Sequence, residues 1–323
     1  MLYFKGILLT FLLALFSIFF VKLDFIASFH ISALIFAILF GLVFSFLYKA
    51  KASSLESGVS FSAKKLLRLG IVLYAFNLSL TELSQVGFLG IFFAILLLTF
   101  TLVFGFFVAV KIFKLDKELA ILISAGTAIC GAAAVLALES ALKTKSSKAF
   151  VAVSTVVVFG LLAMFIYPLF YGVFSFDEKQ MGIFLGLSLH EVANVVGAGA
   201  FINENVANIS LITKMIRVIL LVPVLLILPL LLDKKMEKRK LHIPYFALVF
   251  LLLIFVNSFI ALPSFVVELC KFLSLLFLAM SMCALGLQFD IAKFKESGKK
   301  AFGFALLLTL FVAFLAFVLA LLF

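Results

Sequence analysis

Apolar residues run through this chain in long blocks separated by short polar connections. From Gly90 to Val110 it reads GIFFAILLLTFTLVFGFFVAV, without one charged residue. Such a block matches the roughly 20 residues that a helix needs to cross the hydrocarbon of a bilayer. About eleven blocks succeed one another, at roughly 6–21, 29–47, 66–80, 86–113, 119–138, 148–173, 180–201, 208–232, 243–262, 267–288 and 300–323. The stretches 49–65 and 233–242 read as the only sizeable polar connections. The pattern therefore predicts an all-α polytopic membrane protein of about 9–11 transmembrane segments. It forms one integral domain over 1–323 with no appended module, and the block after Lys5 reads as a retained first helix rather than a signal peptide.

Composition agrees. The chain is 66% apolar and 13% charged, against about 45–50% and 25% in soluble domains. A net charge of +11 would suggest nucleic acid in a soluble protein. Here the cations sit in short loops between apolar blocks, as the positive-inside bias produces, so nucleic-acid binding is not expected. Cys130, Cys270 and Cys283 lie in or beside apolar segments and read as packed residues, not a disulfide framework.

The basic loops orient the chain. Lys49, Lys51, Lys64 and Lys65 mark one, Lys111, Lys114 and Lys117 another, Lys234 to Lys240 a third, and Lys293, Lys295, Lys299 and Lys300 a fourth. Full crossings from a cytoplasmic N-terminus put all four inside, but leave Lys143, Lys145 and Lys148 outside. If 119–138 and 180–201 instead re-enter from opposite faces, that loop moves inside and Asp177–Glu178 moves outside. Both segments are rich in Gly and Ala ("SAGTAICGAAAV", "GLSLHEVANVVGAGA"), which suits either broken segments or close-packed crossing helices. An internal likeness between 78–100 and 287–310 divides the chain into repeat-like parts at about 29–173 and 180–323. It points to inverted repeats with interrupted or re-entrant helices.

The polar groups inside apolar blocks are the candidate chemistry. Glu191 costs about 2.5–3.5 kcal/mol at membrane depth, so it should face a polar interior or a partner. His190 adjoins it and Asn194 follows three residues on. "LITKMIRVILL" places Lys214 and Arg217 on one helical face, suited to neutralising Glu191 or cradling an anion. In "GTAICGAAA", Gly126 and Gly131 flank Thr127 and Cys130, so the helix can break there and expose amides to an anion. Each has a plainer reading: a hydrogen-bonded histidine, a buried ion pair, snorkelling cations, tight helix packing. "HEVAN" opens like the zinc-protease signature but has Asn194 where a second histidine is needed, and His30 and His242 sit at segment ends. No P-loop pattern is present. No enzyme and no cofactor are expected.

"LLRLGIVLYAFNLSL", "GTAICGAAAVLALES", "SLHEVANVVGAG" and "TKMIRV" resemble the blocks of the YeiH-type membrane proteins, a family carrying a sulfate-exporter label. The likeness runs from about residue 30 to the C-terminus. The family is grouped with cation/proton antiporter and bile-acid symporter folds. The resemblance implies a secondary transporter in a bacterial inner (plasma) membrane, with Thr127, Cys130, Gly131, His190, Glu191, Lys214 and Arg217 in or near a central cavity. The chain departs from the family at Asn77, often basic there, and at Ser140, often Pro. The reading is ion-coupled transport of a small anion, sulfate or a related oxyanion, with H⁺ or Na⁺ as coupling ion. The alternatives are a cation/proton exchanger or a non-transporting membrane sensor or scaffold. The expected partners are the anion, the coupling ion and the lipid bilayer, with a homo-oligomer left open.

Overall fold

The computed structural model describes residues 2–22, 33–50, 52–78, 80–142, 144–231, 245–260, 262–288 and 298–323. The loop 233–242 lies outside them, as do His30, Lys51, Lys143, His242, Lys293 and Lys295. Among the described residues every regular element is a helix, because an apolar run in lipid must satisfy its backbone hydrogen bonds within itself. Six helical stretches among the described residues are long and apolar enough to cross a membrane: Tyr3–Phe20, Leu83–Lys111, Ser147–Phe170, Glu204–Leu228, Ser264–Gln288 and Lys299–Leu321. The chain divides into two compact units, Met1–Glu82 with Phe246–Asp290, and Leu83–Tyr245 with Ile291–Phe323. Each unit therefore draws on both repeat-like parts.

The first unit holds α1 (Leu2–Phe20), α2 (Ala33–Ala50), α3 (Ala52–Phe61), α4 (Leu67–Tyr74), α13 (Tyr245–Phe259, from Phe246 on) and α14 (Ser264–Gln288). Here the sequence reading of 49–65 as a loop needs correction: residues 52–65 are helical. Helix α3 passes through a π-helical turn, Ser62–Leu66, directly into α4. Ser57, Gly58, Ser60 and Ser62 make the stretch read as polar, but they are also small, and small residues let helices touch. A Cβ at Gly58 would strike the Tyr3 carbonyl of α1, and one at Gly6 the Leu55 carbonyl of α3. Ser62 is buried, exchanges a 2.8 Å hydrogen bond with Thr10, and its carbonyl accepts from Ser281 of α14 at 3.0 Å. Asn77 donates to the Tyr74 carbonyl at the end of its own helix.

The second unit contains most of α5 (Leu80–Lys111), then α6 (Lys117–Ala128), α7 (Ala132–Leu142), α8 (Ser146–Ile166), α9 (Glu178–Ser188), α10 (Val192–Ile202), α11 (Glu204–Ile219), α12 (Leu221–Leu231) and α15 (Lys299–Leu321). The two aligned stretches lead into α5 and α15, and each carries a glycine of positive φ: Gly87 (φ 51), at a kink inside α5, and Gly298 (φ 79), at the N-cap of α15. Part of the second stretch, 289–297, lies outside the described residues.

Segments 119–138 and 180–201 are each broken into two short helices that turn back on themselves. Asp116 caps α6 by accepting from Glu118 and Leu119 N–H. Lys148, on the first turn of α8, reaches back to Asp116 at 2.8 Å and to Glu118 at 3.0 Å. The start of α6 and the end of α7 therefore lie at the same end of the hairpin, and the tip is Ile129–Gly131. The second hairpin is fastened in the same manner. Asp177 and Gln180 form a capping box at the start of α9. Glu178 accepts from Asn203 Nδ2 at 2.7 Å and from Asn205 Nδ2 at 2.6 Å, where α10 ends and α11 begins. Its tip is Leu189–Glu191. The long helix after each hairpin runs beside the hairpin's first arm. Gly126 faces Val156 of α8, while Gly182 and Gly186 face Ile209 and Thr213 of α11.

Candidate functional site

The two tips meet, and Arg217 joins them. Its Nε donates to the Ala128 carbonyl at 3.0 Å and its Nη2 to that of Thr127 at 2.8 Å, both at the end of α6. Nη1 donates to the carbonyls of Gly186 at 3.0 Å, Leu187, and Leu189 at 3.1 Å, at the end of α9. Lys214, one helical turn earlier, donates to the Leu189 carbonyl at 2.6 Å. These carbonyls belong to the last turns of broken helices, where no intrahelical donor remains. A planar fork with several donors can serve two chain ends at once; an ammonium serves one. Both cations are 0% exposed, so neither snorkels to a membrane interface.

Glu191 does not pair with Arg217 here. It caps no helix of its own; its Oε1 accepts from the Ala132 N–H at 3.2 Å, the first amide of α7 in the opposite hairpin. The carboxylate thus lies at the positive end of a helix dipole. Lys214 is within its electrostatic reach. Of the three charged groups at the meeting point, Glu191 alone keeps partial exposure.

His190 is fully buried, with Nε2 3.2 Å from the Thr309 hydroxyl of α15 and Nδ1 without a hydrogen-bond partner among the described residues. Thr309 also donates to the Ala305 carbonyl, so its proton is spoken for. Asn194 sits in the first turn of α10, and both it and His190 pack on Gly160 of α8, where a Cβ would come 2.6 Å from Asn194 Nδ2. Thr127, Cys130 and Gly131 lie buried at the first tip, and Gly126 just before it packs against Val135 and Val156. The structure brings all nine sequence-nominated residues, Gly126, Thr127, Cys130, Gly131, His190, Glu191, Asn194, Lys214 and Arg217, to the two tips and the helices flanking them.

Sequence reasoning missed Thr309, Gly160 and the two hairpin fasteners. The first two carry no local signal, since a threonine and a glycine in apolar helices are unremarkable. The fasteners had a partial one: Asp116 and Asp177 each precede an apolar run with an acidic residue in the first turn, the signature of a helix start. Outside the apolar segments, partial burial opposes the charge of Asp116. The hydrogen bond from Lys148 and the amides of Leu119 and Glu118 outweigh it, and hold the carboxyl below its ordinary range.

The helices and the polar junction they enclose define an integral membrane protein of all-α type, its breaks placed where two hairpins meet. The chain belongs to the family described as Conserved hypothetical protein 698, which it matches over residues 5–305. It is 43% identical to the UPF0324 membrane protein Cj0999c of Campylobacter jejuni, over 96% of this chain and 92% of that one. It is also 42% identical to the UPF0324 inner membrane protein YeiH of Escherichia coli K12, over 88% of this chain and 83% of that one. The UPF0324 membrane protein WS2204 of Wolinella succinogenes is 43% identical over 92% and 90%. No solved structure matches the chain. An inner-membrane location follows from these relatives and from the apolar helices.

Proposed function

We propose that the protein is an ion-coupled secondary transporter of a small anion, and that the meeting point of the hairpin tips is where the anion binds. The observation that carries this is the charge at the junction. Two helix C-termini, about −0.5 each, and two N-termini, about +0.5 each, converge there and cancel. Counted in their ionised forms, Lys214 and Arg217 add two positive charges and Glu191 one negative, leaving a surplus of one positive charge in a buried place. The N-terminus of α10 carries no side-chain cap. A small oxyanion such as sulfate fits that surplus, and the sulfate-exporter label of the resembling family agrees with it.

Glu191 serves as the coupling group. Its partial exposure lets it exchange a proton, and protonation frees the Ala132 amide while raising the surplus to two. The units α6–α8 and α9–α11, each a hairpin followed by a long helix beside its first arm, act as inverted repeats with the site between their tips. Reading the protein as a cation/proton exchanger asks for free carbonyls near Glu191, and Arg217 and Lys214 already take those of Thr127, Ala128, Gly186, Leu187 and Leu189.

The test is uptake of radiolabelled sulfate, and of other small oxyanions, by liposomes holding the purified protein under imposed pH or Na⁺ gradients. Anion uptake that follows the pH gradient, and loses that dependence in Glu191→Gln, is expected. Collapse of a pH gradient on adding Na⁺, with no oxyanion taken up, would replace this reading with the exchanger. A protein silent in both assays would return the case to a sensor or scaffold.

A further inference from the structure

Gly131 stands at the first tip in a left-handed conformation, φ 71, that side chains other than glycine rarely adopt. That conformation alone accounts for a glycine in a turn. A second fact does not follow from the turn. A Cβ on Gly131 would fall on the Glu191 Cγ methylene, 2.9 Å from Oε1 and 3.1 Å from Cδ. The absent side chain is the space in which the Glu191 carboxylate lies.

Neither backbone can yield that space easily. Gly131 N–H donates to the Gly126 carbonyl at 2.9 Å, and the Gly131 carbonyl accepts from Ala134 and Val135 N–H at 3.1 and 3.2 Å. On the other tip, the Glu191 carbonyl accepts from Val195 N–H at 3.1 Å and so belongs to the first turn of α10. The mobile part is the Glu191 side chain. It is faced by Lys214 from α11 and by Cys130 from the first tip, with His190 beside it in sequence.

We propose that Gly131 is the positioning residue of this site: by lacking a side chain it seats the Glu191 carboxylate on the first amide of α7, and so sets when Glu191 takes or releases its proton. This rests on the proposed role of Glu191 as the proton-carrying group. The ionised carboxylate is held by the Ala132 amide and the dipole behind it. The neutral acid loses most of that attraction and is released from the seat.

The test needs no substrate. The melting temperature of the purified protein in detergent is followed from acid to neutral pH. The wild type is expected to show a pH-dependent component that Glu191→Gln abolishes. Gly131→Ala moves the midpoint of that component by about one pH unit or more, the consequence of losing a hydrogen bond to a charged group. Glu191→Asp, with a side chain one methylene shorter, withdraws the carboxylate from the seat with Gly131 intact and moves the midpoint as well, which covers the case in which Gly131→Ala fails to fold. A double-mutant comparison separates seat from turn: adding Gly131→Ala to Glu191→Ala should lower the melting temperature by less than half as much as it does in the wild type. An unmoved midpoint in the folded variants overturns the proposal. So does an equal cost of Gly131→Ala in both backgrounds, or a wild-type profile indistinguishable from that of Glu191→Gln. A protein that shows the shift but takes up no oxyanion in liposomes loses the transport reading and keeps the seat.

Discussion

Replacing Arg217 with methionine keeps an apolar stem of similar length and removes the fork. The carbonyls of Thr127, Ala128, Gly186, Leu187 and Leu189 lose a donor together, and only Leu189 retains another, from Lys214. Hydrogen bonds to a charged donor contribute about 1.5–3 kcal/mol each, but three of the five share one nitrogen with two hydrogens, so the sum overstates the loss. Leaving a buried carbonyl without its donor costs about 1–3 kcal/mol, and with the shared nitrogen discounted about 4 kcal/mol is expected here. That corresponds to a fall of roughly 6 °C in melting temperature for a chain of this size. Arg217→Lys restores the charge but reaches one tip at a time, so it should recover less than half of the loss. The assay is thermal melting of the purified variants in detergent, with oxyanion uptake in liposomes measured beside it. If Arg217→Met melted within 2 °C of the wild type, or Arg217→Lys recovered it fully, the clamp between the tips would be refuted.

Two further outcomes follow from the hairpins. With a cytoplasmic N-terminus, Lys145 faces the cytoplasm and Gly172 the opposite side. Lys145→Cys in intact cells should resist a membrane-impermeant thiol reagent, while Gly172→Cys, an exposed position with nothing within 4 Å of the new Cβ, should react; labelling of Lys145→Cys from outside would sink this topology. Because Asp116 is held below its ordinary range, its contribution is complete above the unfolded value near 3.9 and is lost as pH falls through the lower folded value. Amide exchange at Glu118 and Leu119 should therefore accelerate below about pH 4 relative to their intrinsic rates, and Asp116→Asn should remove that pH dependence; a profile unchanged by Asp116→Asn would rule out the Asp116–Lys148 contact as the fastener.

Much of the site could be read from the chain because charge and glycine are conspicuous in an apolar background. Glu191, Lys214 and Arg217 stood out by their cost in lipid, and Gly126 and Gly131 by the break they permit. What each does was not legible. The i, i+3 spacing placed Lys214 and Arg217 on one face, yet their partners are backbone carbonyls 25 to 90 residues away in sequence. Those carbonyls have no sequence signature, since any residue supplies one. The stretch 49–65 was misread for the converse reason: its serines and Gly58 are polar by residue type but small by shape, and the contact with α1 depends on shape.

The sequence alone determined that the chain lies in a membrane, that it is helical, and which residues are too costly to be idle. Those properties follow from transfer free energy, which each residue carries wherever it sits. Only the tertiary structure decided that 119–138 and 180–201 fold back as helical hairpins instead of running on as single helices. An apolar segment of some 20 residues has the same composition either way. The decision rests on Lys148 meeting Asp116 and on Glu178 meeting Asn203 and Asn205, contacts that exist only once the hairpins have closed.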